Sequence, residues 1–459
     1  MRRNVSEWVG EALYSSRPLA SAKLAVKRFA PILRHPLQAK TTLAIHGGAA
    51  AIRHTLPPVY PGAMRIDNAE EEAVLKVIRS KRLFRYYGPH PGPSRVQGFE
   101  SDFANHIGTS YAVAVSSGSA ALVCGLAALG VGPGDEVIVP AYTWIASAQA
   151  VVSVGAVPVI AEIDSSLSLD MADVESKITK HTRAILPVHM RGAPCRMGPI
   201  MELARRRDLK VLEDVAQAAG GSFLGRRLGS IGDVGAFSFQ FNKIITCGEG
   251  GAVVTDSADL HERILMYHDV VGGMRNQIAE EKMLAGQNFR MGELQGAIMQ
   301  CQLQKLSRLL ADMRQRKAAL KGLMGEALSR RGMSFRVIND PDGDTATSII
   351  FFAPSAERAL RVAEALCAEG APAFVLYDKN RADYHIYAHW SPIVKKRTWS
   401  ERGGPWCWHD REMNYSADMC PRSLDLLSRA VHLDVSPDLT DRNIEELATA
   451  VVKVINGLA

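Results

Sequence analysis

The chain predicts an α/β fold, a large domain on a mainly parallel central sheet with a smaller C-terminal α+β domain. Three observations carry that expectation. From about residue 95 to 260, short apolar runs alternate with segments of helical period. Residues 291–332 read as one or two long helices. Beyond about 333 strands and helices mix without strict alternation. At 459 residues and 47% hydrophobic content the chain can bury more than one core. The expected divisions are a basic extension over 1–60, the large domain over 61–320 and the small domain over 321–459.

The elements follow in order. Pro57-Pro58 and Pro61-Gly62 mark the end of the extension. Residues 68–81 have helical period with acidic residues in the first turn, which suits the helix dipole. Strands are expected at 111–115, 136–139, 158–161, 184–188 and 210–212, and helices at 119–129, 146–152 and 199–207. A strand at 347–352 and helices at 356–369 and 441–455 belong to the C-terminal part. Residues 376–422 are rich in Trp, Tyr, His and Arg with no clear period. Their aromatic content argues against disorder, and so long an irregular stretch in a compact domain points to function.

Charge excludes one class of partner. Arg2, Arg3, Arg17, Lys23, Lys27, Arg28, Arg34 and Lys40 outweigh Glu7 and Glu11, so residues 1–40 carry the whole net charge of +6. The remainder is neutral, which gives no case for a nucleic-acid-binding body. The seven cysteines are scattered without a Cys-x-x-Cys pair, so neither a zinc site nor a disulfide framework is indicated. No apolar run is long enough to span a membrane, and no secretory signal is present. A cytoplasmic location is expected. Ala20 to Leu33 interleaves apolar residues with Lys23, Lys27 and Arg28; it reads as a membrane-surface helix or as a poorly ordered extension.

Four segments carry chemistry. Ser116-Ser117-Gly118-Ser119-Ala120-Ala121 joins a strand to a helix. Such a junction can hold a phosphate on free N–H groups, or be an ordinary turn. Pro140-Ala141-Tyr142-Thr143-Trp144 puts aromatics after a strand, where open α/β sheets bind ligands. Trp144 or Tyr142 could stack on a flat ring or simply fill a core. Glu213-Asp214-Val215-Ala216-Gln217 puts a carboxylate at a strand's end, as a partner for a pyridinium N–H or as a helix cap. Lys243 lies between two apolar strands, close before Gly248, Gly250 and Gly251. Burial there would lower its pKa toward the neutral amine that a Schiff base needs. A lysine nucleophile and an aspartate for a pyridinium nitrogen are what pyridoxal 5′-phosphate chemistry requires.

In this order, Ser-Gly-Ser-Ala-Ala, Pro-Ala-Tyr-Thr-Trp, Glu-Asp-Val-Ala-Gln-Ala, Gly-Asp-Val-Gly-Ala-Phe-Ser-Phe and Lys-x₄-Gly-Glu-Gly-Gly resemble the DegT/DnrJ/EryC1/StrS-type sugar aminotransferases over roughly residues 60–455. The resemblance implies a fold-type I, pyridoxal-phosphate-dependent transferase, typically a homodimer. It implies that Lys243 forms the Schiff base and shuttles the proton, and that Asp214 pairs with the pyridine nitrogen. Gln217 would lie near the phenolic oxygen and Trp144 on the ring. Gly118, Ser119 and Ser238 would hold the phosphate. Asn288 would reach the phosphate of the partner subunit's cofactor, and Arg290 would help hold the donor's carboxylate.

Gln240-Phe241-Asn242 departs from the family's usual residues before the lysine. Lys-Ile-Ile-Thr-Cys-Gly-Glu-Gly-Gly is similar to members acting on keto-cyclitols or on an eight-carbon keto-sugar acid. Leu83-Phe84-Arg85-Tyr86 and Asp340-Pro341-Asp342-Gly343-Asp344 resemble the latter branch. The implied activity is ping-pong transfer of an amino group from L-glutamate or L-glutamine to a keto-sugar, keto-sugar acid or keto-cyclitol. Two alternatives stand. A dehydratase of the same family would lack the lysine, and a non-catalytic regulatory protein would lack Lys243 or Asp214; both residues are present. Tyr384 and His385, in Asp383-Tyr384-His385-Ile386-Tyr387-Ala388-His389-Trp390, are substrate candidates because aromatic faces stack on sugars and imidazoles bond hydroxyls. An aromatic mini-core or a dimer contact explains that segment equally well. His385 and His389 lack a third metal ligand.

Overall fold

The strands of the large sheet are buried at nearly every residue, as expected where helices cover both faces. The computed structural model describes residues 42–458. The strands are β1 (Tyr111–Val115), β2 (Glu136–Pro140), β3 (Val157–Ala161), β4 (Thr182–Ile185), β5 (Lys210–Asp214), the small hairpin β6 (Ser222–Phe223) and β7 (Arg226–Arg227), β8 (Val234–Ser238) and β9 (Gly251–Thr255). Seven of them form one sheet in the order β1-β9-β8-β5-β4-β2-β3. The pairs from β8 through β3 are parallel, and β9 runs antiparallel to both its neighbours. The mainly parallel sheet expected from the sequence is therefore the one present.

Alternation along each strand divides the core. Ile138, Val159, Ile185 and Val211 face one cluster, while Val137, Val139, Ile160, Ala184 and Leu212 face the other. The helix Gly118–Ala128 is apolar nearly all round and is buried accordingly.

A second sheet, wholly antiparallel, has β10 (Ser334–Phe335), β11 (Ser348–Phe352), β12 (Phe374–Val375) and β13 (Ala430–Asp434) in the order β10-β11-β13-β12. Helices Ala356–Ala368 and Asp441–Gly457 pack against it. The expected one or two helices over 291–332 are a single helix, Glu293–Arg330. Its first half contributes Met299 and Leu306 to the large-sheet core, and its second half contributes Leu320 and Met324 to the other.

Of the 1–60 extension, residues 42–60 lie within the described fold. Leu43 and Ile52 are buried in the C-terminal core. The Glu369 carboxylate accepts N–H bonds from Ala44 and Ala51, both at 2.8 Å. The basic stretch and the segment Ala20 to Leu33 lie outside the described residues.

Residues 376–422 hold short helical turns at Tyr387–His389, Ser391–Val394 and Pro405–Cys407. Ile386, Tyr387 and Trp390 are fully buried. The indole of Trp390 donates to the Tyr384 carbonyl at 2.8 Å. An aromatic mini-core thus forms at the base of the segment.

Candidate active site

The carboxyl ends of β1, β2, β5 and β8 point to one edge of the sheet, and the loops leaving them enclose a cavity of about 800 Å³. Ligands of open α/β sheets bind at this edge. Gly118, Ser119, Trp144, Asp214, Gln217, Ser238, Lys243 and His385 all line it. Eight of the candidates picked from separate sequence segments are therefore brought together.

Lys243 sits on the loop between β8 and β9. That loop is pinned by N–H bonds from Phe239 to the Gly250 carbonyl (2.8 Å) and from Phe241 to the Gly248 carbonyl (2.9 Å). Gly248 has φ +86°, the left-handed turn the hairpin needs. Gly62 N–H donates to the Lys243 carbonyl at 3.2 Å, so the N-terminal segment clasps the loop from outside. The lysine's amine makes no hydrogen bond or ion pair with a described residue. Burial pushes its pKa down; the charge of Asp214 opposes this and that of Arg191 adds to it.

Asp214 ends β5 and is buried. Oδ1 accepts from Ala216 N–H at 3.0 Å and Oδ2 from the Ser147 hydroxyl at 2.8 Å. Burial pushes its pKa up against those two bonds and against the charge of Lys243. Behind it, Glu213 accepts from Gly229, Ile231 and Gly232 N–H groups and from His189 Nε2 at 3.1 Å. This acidic pair therefore splits its work: Glu213 braces the loop before β8, and Asp214 faces the cavity.

The β1–helix junction is built for close approach. A Cβ on Gly118 would lie 2.6 Å from Ser238 Cβ, and one on Gly251 would lie 2.4 Å from the Ser117 carbonyl oxygen. Ser117 caps the helix Gly118–Ala128 by accepting from Ala120 N–H at 3.1 Å. Helix N-terminus, Ser119 and Ser238 thus meet in a small cradle that suits a phosphate.

Trp144 is 45% exposed and is not a core aromatic. Its ring lies 4.9 Å from His385 and 6.2 Å, edge-on, from Tyr384. His385 Nδ1 bonds Asp383 Oδ1 at 2.8 Å. Tyr384 stands half-exposed behind Trp144 and does not line the cavity. Gln217 Oε1 accepts the Arg191 backbone N–H at 3.0 Å.

Besides Tyr384, two candidates lie outside the cavity. Asn288 is exposed and outside the cavity. Its neighbour Phe289 accepts the Ser116 N–H at 2.7 Å, so it runs beside the phosphate turn. Arg290 is bound to Asp269 at 2.5 Å, and Asp269 also holds Arg275 at 3.0 Å. The guanidinium is thus engaged outside the cavity.

The cavity also takes residues that sequence reasoning passed over: Arg191, Ser147, Glu249, Asp434 and the stretch Pro58–Pro61. Arg191 could have been found, as an arginine before glycine just past a strand's end. Asp434 closes a strand whose alternation is masked by buried His432.

The fold and site define a class of protein, the fold-type I transferases. More particularly, the chain belongs to the DegT/DnrJ/EryC1/StrS aminotransferase family, whose sequence model matches residues 64–400. Over 434 residues it is 33% identical to an L-glutamine:2-deoxy-scyllo-inosose aminotransferase of Streptoalloteichus tenebrarius, covering 90% of this chain and 97% of that one. It is 40% identical over 257 residues to a GDP-perosamine synthase of Caulobacter vibrioides, covering 56% and 67%. The crystal structure of a 3-amino-5-hydroxybenzoic acid synthase matches with a TM-score of 0.74 at 27% identity, covering 88% and 100%. Enzymes of the family depend on pyridoxal phosphate. The residues present fit that group, because a glycine cradle that a Cβ would fill, an unpartnered, partly buried amine and a buried carboxylate share one cavity.

Proposed function

We propose that this aminotransferase moves an amino group from L-glutamate or L-glutamine to the ketone of a keto-sugar, keto-sugar acid or keto-cyclitol, by ping-pong turnover. The observation that carries this reading is the unpartnered, pKa-depressed amine of Lys243 in the same cavity as the doubly anchored Asp214. The relatives' names, an aminotransferase acting on 2-deoxy-scyllo-inosose and a synthase of GDP-perosamine, support the acceptor class.

When bound, pyridoxal phosphate supplies an electron sink that lets the C–H bond beside the amine ionise. The chain's residues do the rest. Lys243 Nζ would take that proton and return it, and burial, which lowers its pKa, favours the neutral amine the step needs. Asp214 would hold a proton on the ring nitrogen; Ser147 and Ala216 N–H fix the direction of its carboxylate. Gly118, Ser119 and Ser238 would hold the phosphate, and Trp144 would pack against the ring. Asn288 on its exposed turn is suited to a second copy's site, which supports a homodimer as the working form.

The test is spectroscopic. The purified protein with pyridoxal phosphate should show a visible band that bleaches on adding L-glutamate or L-glutamine, and Lys243→Ala should lack both band and bleaching. A protein that stays colourless after cofactor is added would sink the reading.

A further inference from the structure

We infer that Arg191 recognises the α-carboxylate of the amino donor and thereby restricts the donor to α-amino acids. The inference rests on the transferase reading above and names a residue for it.

Arg191 stands in a wall. Besides the 800 Å³ cavity there is a second one of about 400 Å³, and Arg191 and His385 line both. The arginine is held there at some cost. Its backbone is left-handed, φ +53° and ψ +37°, a strained state for a residue with a side chain. Gly192 follows at φ +79°, where a Cβ would lie 2.1 Å from Thr345 Oγ1. The Arg191 N–H is tied to Gln217 and Nε donates to the Tyr142 hydroxyl at 3.2 Å. The guanidinium carbon lies 6.0 Å from the centre of the Phe374 ring.

These contacts fix the plane of the guanidinium and use Nε alone. Nη1 and Nη2 make no hydrogen bond or ion pair with a described residue. The nearby carboxylates have other partners: Asp434 is bonded to His432 at 2.7 Å and Asp383 to His385 at 2.8 Å. The other buried guanidinium of this region, Arg336, is spent on the Ser166 and Met190 carbonyls. Among the described residues lining the main cavity, Arg191 is the single guanidinium. An oriented fork with two free N–H edges is the group that binds a carboxylate bidentately.

Location selects the donor's carboxylate. In an α-amino acid the carboxylate and the departing amine share one carbon, so the group that reads the carboxylate must stand beside the lysine. Arg191 is close enough to Lys243 for its charge to act on the amine. Arg290, which the family resemblance implied for this task, is bound to Asp269 outside the cavity.

The experiment compares L-glutamate with 4-aminobutanoate, the same molecule without its α-carboxylate, in the first half-reaction of the holoenzyme. Arg191→Asn, which tolerates the left-handed backbone, should cut the kcat/KM ratio of the two donors about ten- to a hundredfold, with cofactor absorbance retained. An unchanged ratio overturns the inference, and a loss confined to the acceptor half-reaction does so too. A second readout uses the wild-type holoenzyme, so it survives any misfolding of the variant. Saturating glutarate should protect Arg191 from phenylglyoxal, followed by peptide mass spectrometry; modification at an undiminished rate overturns the inference. Wild-type protein that reacts with no amino donor would refute the transferase reading instead, and glutarate protection would still decide Arg191.

Discussion

The Ser147 hydroxyl donates to Asp214 Oδ2 at 2.8 Å, and Ser147 Oγ is also 2.8 Å from Thr143 Oγ1. The helix after β2 is thereby linked to the end of β5 through a buried polar chain. Ser147→Ala leaves one oxygen of a buried carboxylate without its donor. The expected cost is about 1–3 kcal/mol of stability, read by denaturant unfolding, together with a further rise of the Asp214 pKa. Stability equal to wild type would mean that this bond contributes nothing.

Gly118 makes room for the cradle. Gly118→Ala would put a Cβ 2.6 Å from Ser238 Cβ, so cofactor affinity should fall by about tenfold or more while the fold survives. Equilibrium dialysis of the variant decides; an affinity equal to wild type would mean that the added Cβ is accommodated without disturbing the cradle.

Two buried histidines set an acid limit. Burial pushes the pKa of His268 and of His432 down to about 4. The folded state therefore resists protons that the unfolded chain takes up near pH 6.5. Their contribution is complete above about pH 6.5 and is lost as pH falls toward 4, by up to about 1.4 kcal/mol per pH unit for each. Urea midpoints between pH 7 and 4.5 should fall accordingly, and His268→Leu should flatten the slope. Parallel slopes for variant and wild type would contradict this.

What the sequence revealed follows from what local pattern encodes. Strands such as β2 and β3 announce themselves because sheet burial on both faces demands an unbroken apolar run. The cavity residues Lys243, Asp214 and Gly118 were legible because each sits at a junction with its own small-residue or charge signature. β13 escaped notice because His432 and Asp434 interrupt its alternation; both are held by pairing with each other, which is a tertiary fact. Arg191 escaped because its value lies in what its neighbours leave unbonded. Residues 42–60 looked like the tail of a basic extension, since few of them show period, yet Leu43 and Ile52 complete a core whose other residues begin only at Ala319.

That last packing makes the N-terminal segment part of the active site's support. Glu369 is fully buried, paired with Lys453 at 2.8 Å, and holds Ala44 and Ala51 by their N–H groups. The chain then runs past the cavity wall at Pro58–Pro61 to the Gly62 bond on Lys243. Removing residues 1–41 takes away none of these contacts and should leave cofactor uptake and the first half-reaction near wild type. Removing 1–62 deletes the clasp and part of the wall, and should abolish both. Glu369→Ala is the subtler probe: it strips the anchor and strands the Lys453 charge, at a cost of about 3–5 kcal/mol, and should raise amide hydrogen exchange over 43–53 first. If exchange rises there while Lys243 still reacts normally, the segment is a structural strap and its bond to the lysine loop is incidental to catalysis.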